Sequence, residues 1–373
     1  MTVIRPGAVL VLLLLGAGGC SQPTVPVPGP TESTVSRDQA QPLRARAAHT
    51  ATLLADGRVL LAGGCAVDGC STAEVAPTSE FYTPGRGFSA GPAMARPRDA
   101  HTATTLPDGR VLIVGGFARE GTPPLAETEL FDPTTDRFGP TGSLHTARGG
   151  HVAVLMGNGK VLVAGGWIGP RTYTDSVEIF DPASGTFASG PAMPAARLGA
   201  AAIALPDGRV LVTGGQEAPD RGQPTAWVYL PAAVRWQAVG PMGTPRFKHA
   251  MALLPDGRVL VLGGTTDDRH VLATTEVFDP ATNTFTPGPD MGVERYKITD
   301  AVTVAKGRVV VAGGTQIDTY DASSARFQLV PGSQGVWRSF PTATALIDGS
   351  VLIVGGYDER IRIHHDALLV PAK

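Results

Sequence analysis

The amino-acid sequence predicts an all-β fold made of seven copies of one four-stranded unit. One ten-residue phrase, written PDGRVLVTGG at 206–215, recurs along the 373-residue chain. The other copies are ADGRVLLAGG at 55–64, PDGRVLIVGG at 107–116, GNGKVLVAGG at 157–166, PDGRVLVLGG at 255–264, AKGRVVVAGG at 305–314 and IDGSVLIVGG at 347–356. Turn formers are frequent, with 47 Gly and 32 Pro, whereas apolar runs at helical spacing are missing. Side-chain size also rises from the first strand of each copy to the last.

The spacing of the copies indicates a repeat architecture. The first glycines of the GG pairs lie at positions 63, 115, 165, 214, 263, 313 and 355, so successive copies are 42 to 52 residues apart. Sequence similarity at a fixed period of this size is typical of units that stack on one another to bury a shared core.

Each unit is predicted to contain four antiparallel strands, which we name a, b, c and d in chain order. Residues 197–215 hold two apolar runs joined by L-P-D-G, a turn in which proline presets φ and glycine accepts a positive φ. Residues 176–187, SVEIFDPASGTF, add two shorter strands around D-P-A-S-G. The unit therefore consists of two successive hairpins.

The size gradient predicts that the units are blades arranged around an axis. Strand a is built from small residues, as in HTATLL at 49–54 and AAAIAL at 200–205, and strand b from Val, Leu and Ile. The aromatic residues of strands c and d are Phe131, Phe180, Tyr229, Phe278 and Tyr320 on c, and Phe88, Phe138, Phe187, Trp236, Phe285 and Phe327 on d. Radial blades are crowded at the centre and spread apart at the rim, so close packing requires this gradient. The GG pairs mark places where a Cβ atom would obstruct a neighbouring backbone or a positive φ.

Repeats of about 50 residues with a DGRVLVxGG hairpin and a VEIFDP strand resemble the kelch β-propeller family over residues 44–371. This resemblance implies a seven-bladed propeller with four antiparallel strands per blade over residues 44–373. Blade 7 lacks strand d, because the chain ends shortly after ALLVPA at 367–372. We predict that residues near 33–36 supply this strand and cover the open edges.

The N-terminus is predicted to be an export signal over residues 1–20. Arg5 precedes an apolar run at 8–15 that is too short to cross a bilayer, and GAGGC follows at 16–20. Small residues before a cysteine resemble the lipobox of bacterial lipoproteins, which implies lipidation of Cys20. The implied location is the cell envelope, in the outer membrane or at the periplasmic or extracellular face. An ordinary secretory signal and a retained helical anchor are the alternatives.

Residues 21–43 contain five prolines and little apolar mass, so they are predicted to form a tether that includes the closing strand. The lipid would then be the only contact with the membrane. The two remaining cysteines, Cys65 and Cys70, lie in one loop. In an exported protein this spacing favours a local disulfide over two free thiols or a metal pair.

Alternation of the strands places the b–c loops and d–a corners on one side of the ring, which we call the loop face, and the a–b and c–d turns on the other, the turn face. The variable loops all belong to the loop face: WIGPRTYTDS at 167–176, QEAPDRGQPT at 216–225, TTDDRHVLAT at 265–274 and YDERIRIHHD at 357–366. Function usually resides in such loops on a rigid frame. Candidate ligand-binding residues here are Trp167, Tyr173, Glu217, Arg269, Tyr357 and Arg360.

Every unit also places one arginine at its d–a corner, and these are further ligand-binding candidates: Arg46, Arg98, Arg148, Arg197, Arg246, Arg295 and Arg338. Seven guanidinium groups near one rim would attract anions. In some eukaryotic kelch propellers, arginines at comparable corners bind acidic peptides. The alternative is structural pairing, because strand c begins with an acid in five blades: Glu80, Glu129, Glu178, Glu276 and Asp318. Trp227 and Ala367 replace the acid in blades 4 and 7, so any free guanidinium is expected near these two blades.

Four histidines share one position of strand a, three residues after the corner arginine: His49, His101, His151 and His249. Symmetry would allow them to bind a metal around the axis, but inner strands pack against adjacent blades, so core histidines are the favoured interpretation. His364 and His365 are expected to form a solvated pair in a loop.

The sequence contains no catalytic signature that we recognise. A net charge of −2 without a basic block argues against a nucleic-acid partner, and no phosphate-binding glycine loop, H-E-x-x-H or nucleophile elbow occurs. No tyrosine precedes a histidine, as copper-radical oxidases of the galactose oxidase type require.

We therefore expect a monomeric, non-catalytic module without cofactor or metal that binds a protein, peptide or glycan, including acidic ones. The alternative is an enzyme resembling the kelch sialic acid epimerase, with Glu217, Asp220 or Glu359 moving protons.

Overall fold

A computed structural model of the chain describes residues 35–37, 41–66, 77–119, 121–335 and 337–372. Within these residues the chain forms seven four-stranded antiparallel sheets and no helix. It follows that none of the described segments is a helix long and apolar enough to cross a membrane. The predicted signal at 1–20, the lipidation of Cys20 and the tether as far as residue 34 lie outside the described residues.

The inner hairpin of each blade consists of strands a and b. Strands a are Thr50–Leu53, Thr102–Thr105, Val152–Leu155, Ala201–Ala204, Ala250–Leu253, Val302–Ala305 and Thr342–Ala345. Strands b are Val59–Ala62, Val111–Val114, Val161–Ala164, Val210–Thr213, Val259–Leu262, Arg308–Val311 and Val351–Val354. The turn between them follows the prediction, with Gly57, for example, at φ +86°.

The outer hairpin consists of strands c and d. Strands c are Ser79–Thr83, Thr128–Asp132, Val177–Asp181, Ala226–Leu230, Thr275–Asp279, Asp318–Asp321 and Ala367–Val370. Strands d of blades 1 to 6 are Gly87–Ala90, Arg137–Pro140, Thr186–Gly190, Arg235–Ala238, Thr284–Pro287 and Arg326–Leu329. Two small hairpins stand in b–c loops, Trp167–Gly169 with Thr172–Tyr173 and Gln216–Ala218 with Arg221–Gly222.

The blades close into a ring with strand a at the centre. Each strand a contacts the strand a of the next blade, and the contact between blades 7 and 1 completes the circle. At the rim, strands c and d of blades 1 to 6 pair their aromatic rings with centroids 4.9 to 5.2 Å apart. The predicted seven-bladed, four-stranded architecture and its gradient of side-chain size are confirmed.

The diglycines form the junctions between blades. The N–H of the second glycine donates to the carbonyl oxygen of the next blade's corner arginine at 2.7 to 3.0 Å in all seven blades, and Gly356 bonds to Arg46 across the closure. The first glycine lies under the same carbonyl. A Cβ atom built on Gly214 would lie 2.2 Å from the oxygen of Arg246. The junction therefore requires glycine for space as well as for positive φ.

Blade 7 is closed by the N-terminal segment, as predicted. Strand Ser36–Arg37 pairs antiparallel with Ala367–Val370, with Ser36 opposite Leu369. The N–H of Val35 donates to the carbonyl of Pro331 at 3.1 Å, and the Val35 side chain packs on the core. The strand begins later than the predicted residues 33–36, of which 33 and 34 lie outside the described residues.

Cys65 is buried at the start of the first b–c loop and is disulfide-bonded. Its predicted partner, Cys70, lies outside the described residues. Of the three alternatives for this pair, the state of Cys65 agrees with the disulfide.

Replacing Gly214 by alanine should destabilise the protein far more than replacing Gly208. Both glycines have positive φ, +59° and +88°, so both variants carry the same kind of backbone strain. Only Gly214 lies against a backbone atom, whereas a Cβ atom at Gly208 would meet nothing within 4 Å. We expect a loss of more than about 3 kcal/mol for Gly214→Ala and about 1 kcal/mol for Gly208→Ala, measured by urea unfolding. Equal losses would show that the junction does not depend on close approach.

Removing residues 21–40 should lower the free energy of unfolding by a few kcal/mol, on the order of 1 kcal/mol for each backbone hydrogen bond lost. The deletion exposes the edges of blade 7 that Ser36–Arg37 now covers. Removing only residues 21–33 is the control, because it leaves this strand in place. Thermal unfolding that is the same for both deletions would contradict the closing role.

Candidate functional site

The corner arginines lie beneath the loop face and are buried, with exposed fractions of 0 to 3%. Arg148 is representative. Its Nη1 donates to the carbonyls of Gly165 and Ser176, both at 2.9 Å, and its Nη2 donates to Glu178 Oε1 at 2.9 Å. The guanidinium thus ties the end of strand b to the start of strand c within one blade.

Five blades share this buried ion pair, with N–O distances of 2.7 to 2.9 Å: Arg46–Glu80, Arg98–Glu129, Arg148–Glu178, Arg246–Glu276 and Arg295–Asp318. The carboxylates also accept hydrogen bonds from backbone N–H groups of the preceding d–a segment. Glu178, for example, accepts the N–H groups of His145 and Thr146 at 2.7 and 3.0 Å. Burial lowers the pKa of the Arg148 guanidinium, while the charge of Glu178 raises it. These five arginines have the structural role that the ion-pair alternative describes.

Blades 4 and 7 use different partners, as the missing acids at the start of strand c suggest. Arg197 lies 4.5 Å from the ring centroid of Trp227 and is ion-paired with Glu217, whose side chain is 45% exposed. Arg338 pairs with Asp366 at 2.7 Å. The guanidinium is therefore not free in these two blades either, because a residue of the b–c loop supplies the carboxylate in each. Glu217 is consequently engaged within the protein.

The four strand-a histidines are core residues that join neighbouring blades. Their Nε2 atoms lie 2.8 to 3.1 Å from threonine hydroxyls of the preceding blade, as His101 does from Thr50. Their rings pack over the first glycine of that blade, and the Cε1 of His101 would lie 2.8 Å from a Cβ atom on Gly63. Burial lowers the pKa of His49 and His151 to about 3, so they are neutral.

Seven residues with left-handed backbone, one from each blade, surround the opening of the central channel on the loop face. They lie two residues after each corner arginine and have φ between 45° and 64°: Ala48, Ala100, Gly150, Gly199, Lys248, Lys297 and Phe340. We call these residues the mouth ring. Backbone hydrogen bonds run around it, as from the Lys297 N–H to the Lys248 carbonyl and from the Phe340 N–H to the Lys297 carbonyl, both 2.9 Å.

Glycine adopts this conformation without strain, whereas a residue with a side chain loses about 1 kcal/mol. Blades 5 to 7 nevertheless hold long side chains in the mouth ring. Lys248 contacts both oxygens of Asp268 at 2.6 and 2.7 Å. Strained backbone of this kind is often found at functional positions.

Blade 6 departs from the repeat between its corner arginine and strand a. Arg295 precedes the first glycine of its GG pair, at 313, by 18 residues, while the other six intervals are 17, as from 246 to 263. Two residues are added before strand a, where the Ala301 N–H donates to the Ile298 carbonyl at 2.9 Å and closes a turn over Thr299 and Asp300. The a–b turn is one residue shorter, because Ala305 pairs directly with Arg308.

The added turn projects into the central channel. The Asp300 carbonyl accepts the N–H of Ala343 at 2.8 Å. Ala343 lies in strand a of blade 7, whose other edge pairs with strand b, so this N–H belongs to the edge that faces the axis. The Asp300 side chain is accessible to water but surrounded by protein, and this partial desolvation raises its pKa to about 6.

The remaining sequence-predicted residues are spread over the loop face. Trp167 is half-buried and edge-on to Phe117, with centroids 5.2 Å apart. The Tyr173 hydroxyl accepts a hydrogen bond from the Gln216 side chain at 3.0 Å. Arg269 and Arg360 are exposed.

Two predictions on the blade 7 loop need correction. Tyr357 is only 8% exposed and packs with Ala47 and Cys65 between blades 7 and 1, so it is a core residue here. His364 is half-buried, with Nε2 2.8 Å from the Trp337 carbonyl, because the loop folds back over the corner of its own blade. Of the expected solvated pair, only His365 is exposed.

The mouth ring and Asp300 were not predicted from the sequence. The interval of 18 residues in blade 6 was a readable signal for the added turn. The left-handed positions had a weaker signal, since only two of the seven are glycine and the others look like ordinary loop residues.

Acidification from pH 7 to pH 5 should destabilise the protein through the four buried histidines. Burial holds the folded pKa of all four below the unfolded value of 6.5, and at about 3 for His49 and His151, so stability that is present above pH 6.5 is lost as the pH falls. Each histidine contributes up to about 1.4 kcal/mol per pH unit in this window. His249→Ile is the test variant, because blade 6 has Ile298 in the same place over its glycine. Urea unfolding at both pH values should show a smaller loss in the variant, and an equal loss would contradict the assignment.

Comparison with known proteins agrees with this geometry. A family model of the kelch motif matches residues 148–194 and 252–292, which cover most of blade 3 and blade 5 from the inner hairpin to strand d. No curated protein matches the chain. The seven blades close into one ring, so the chain is a seven-bladed β-propeller, and its blades 3 and 5 match the kelch motif.

Proposed function

We propose that this propeller is a non-catalytic binding module, tethered to the cell envelope by lipid on Cys20, whose loop face binds a protein, peptide or glycan outside the cytoplasm. The observation that carries the proposal is the difference between the two faces of the ring. One face repeats the same turn, and the other carries loops that differ in every blade.

The turn face is occupied by structural contacts that recur from blade to blade. Arg58, Arg110, Arg209 and Arg258 each pair with the aspartate two residues earlier, at 2.6 to 2.7 Å. Some of these arginines also reach the next blade, as Arg58 does to Asp136 at 2.8 Å. A surface built from one repeated contact offers little with which to distinguish ligands.

The loop face supplies exposed and half-buried side chains that do not repeat. The hairpin at 167–173 holds Trp167 beside Phe117, and Arg269 and Arg360 stand in other loops. Aromatic and arginine side chains are the residues most often responsible for binding energy at interfaces. The corner arginines contribute to the same face indirectly, by fixing the loops from below.

The test compares two variants with the same change of charge. The loop-face variant carries Arg269→Glu and Arg360→Glu. The control carries Arg86→Glu in a c–d turn and Arg326→Glu at the start of a strand d, both at exposed positions of the turn face. Cross-linked pulldowns from the envelope fraction should show a partner or glycan retained by the natural chain and by the turn-face control. Retention should fall at least about tenfold for the loop-face variant, as expected when interface arginines are removed.

Equal retention by the two variants would overturn the assignment of binding to the loop face. Corner arginines are unsuitable for this test, because replacing a buried, paired arginine damages the fold itself. Thermal unfolding of both variants verifies that only the surface has changed.

A further inference from the structure

Two oppositely charged side chains near the channel mouth form no ion pair with any of the described residues. Both belong to the segment in which blade 6 departs from the repeat, Lys297 in the mouth ring and Asp300 on the added turn. An unpaired charge that is partly desolvated is costly, so proteins usually pair it or expose it fully.

Lys297 is half-buried and lies between two aromatic rings. Its Nζ is 4.8 Å from the ring centroid of Tyr296 and 5.3 Å from that of Phe340. Among the described residues, this Nζ has no hydrogen bond and no ion pair within 4.0 Å, whereas the equivalent Lys248 is held by both oxygens of Asp268. Burial lowers the pKa of Lys297, and the negative charge of Asp268, the ion-pair partner of Lys248, raises it by a smaller amount.

Asp300 is the complementary case. Its carbonyl is fixed by Ala343, but within the described part of the chain its carboxyl group has no hydrogen bond and no ion pair. The turn that carries it is absent from the other blades, so the repeat pattern does not account for an acid in the channel. Water reaches the carboxyl group, and a ligand entering from the loop face would reach it too.

The two charges lie at different depths. The Lys297 carbonyl bonds to Phe340 and the Asp300 carbonyl bonds to Ala343, so their backbones are three residues apart along blade 7, or roughly 10 Å. They form no salt bridge with each other. A cation at the mouth and an anion below it would suit a narrow molecule with the opposite arrangement of charges.

We propose that the mouth of the central channel binds a small linear zwitterion. The carboxylate of the ligand binds Lys297, whose Nζ lies between the rings of Tyr296 and Phe340, and the ammonium group of the ligand binds Asp300. This site goes beyond the proposed function, because it requires no macromolecular partner and no residue of the outer loops.

The experiment measures binding to the purified full chain by isothermal titration calorimetry. The probes are 6-aminohexanoate, which carries both charges, and hexanoate and hexylamine, which carry one each. We expect 6-aminohexanoate to bind at least about tenfold more tightly than either analogue, since each charge contact contributes about 1.4 kcal/mol or more.

Two variants separate the two contacts. Lys297→Met should weaken 6-aminohexanoate at least about tenfold and leave hexylamine unchanged, and Asp300→Asn should weaken it similarly and leave hexanoate unchanged. The matched controls are Lys306→Met on the turn face and Asp290→Asn, both at exposed positions, which should change nothing.

Absence of measurable binding of 6-aminohexanoate, equal affinity for the three probes, or unchanged affinity in both variants would each overturn the proposal. A large rise of the Asp300 pKa in Lys297→Met, followed by NMR, would also overturn it, because the two side chains would then pair with each other. None of these results bears on the loop-face function, since the experiment contains no envelope partner.

Discussion

The fold depends on one contact, the arginine carbonyl that each blade places over the diglycine of the blade before it. The second glycine donates a hydrogen bond to this oxygen in all seven blades, and the last bond runs from Gly356 back to Arg46. In six blades this carbonyl excludes a Cβ atom from the first glycine, as at Gly214, and the exception is Gly313 of blade 6. The ten-residue motif therefore recurs because each copy forms one junction between two blades. The Val, Leu and Ile residues before each GG pair pack in the space between the joined blades.

The same junction explains why the corner arginines are structural. The arginine that offers its carbonyl to the preceding blade turns its guanidinium into its own blade, where Arg148 reaches Gly165, Ser176 and Glu178. The main-chain carbonyl of this residue thus connects two blades, and its side chain connects the d–a corner, strand b and strand c of its own blade. Each of the seven guanidinium groups has a carboxylate partner in its own blade. Ligand recognition is then left to side chains above this layer and to the channel mouth, where the sevenfold pattern breaks.

The break in blade 6 shows how a repeat protein can acquire an individual site without losing closure. Two residues are added before strand a and one is removed from the a–b turn, and the junction at Gly314 and Arg338 is still formed. The addition projects into the channel, where strands a leave free edges, instead of between blades, where side chains are close-packed. Asp300 can therefore occupy a position that no other blade has, and the ring absorbs the change because each blade contacts only its neighbours.

The sequence by itself determined the architecture, because the period, the turn residues and the size gradient each follow from local geometry repeated seven times. It also indicated the pairing of arginines with acids, since both recur at fixed positions. Only the tertiary structure decided which side chains are available to bind a ligand. Tyr357 looks like an exposed loop residue but is buried between blades 7 and 1, and Glu217 is engaged by Arg197. Lys297 and Asp300 look like ordinary loop residues but face the axis. Burial and charge pairing depend on contacts between blades, and residues distant in sequence make those contacts only when the ring closes.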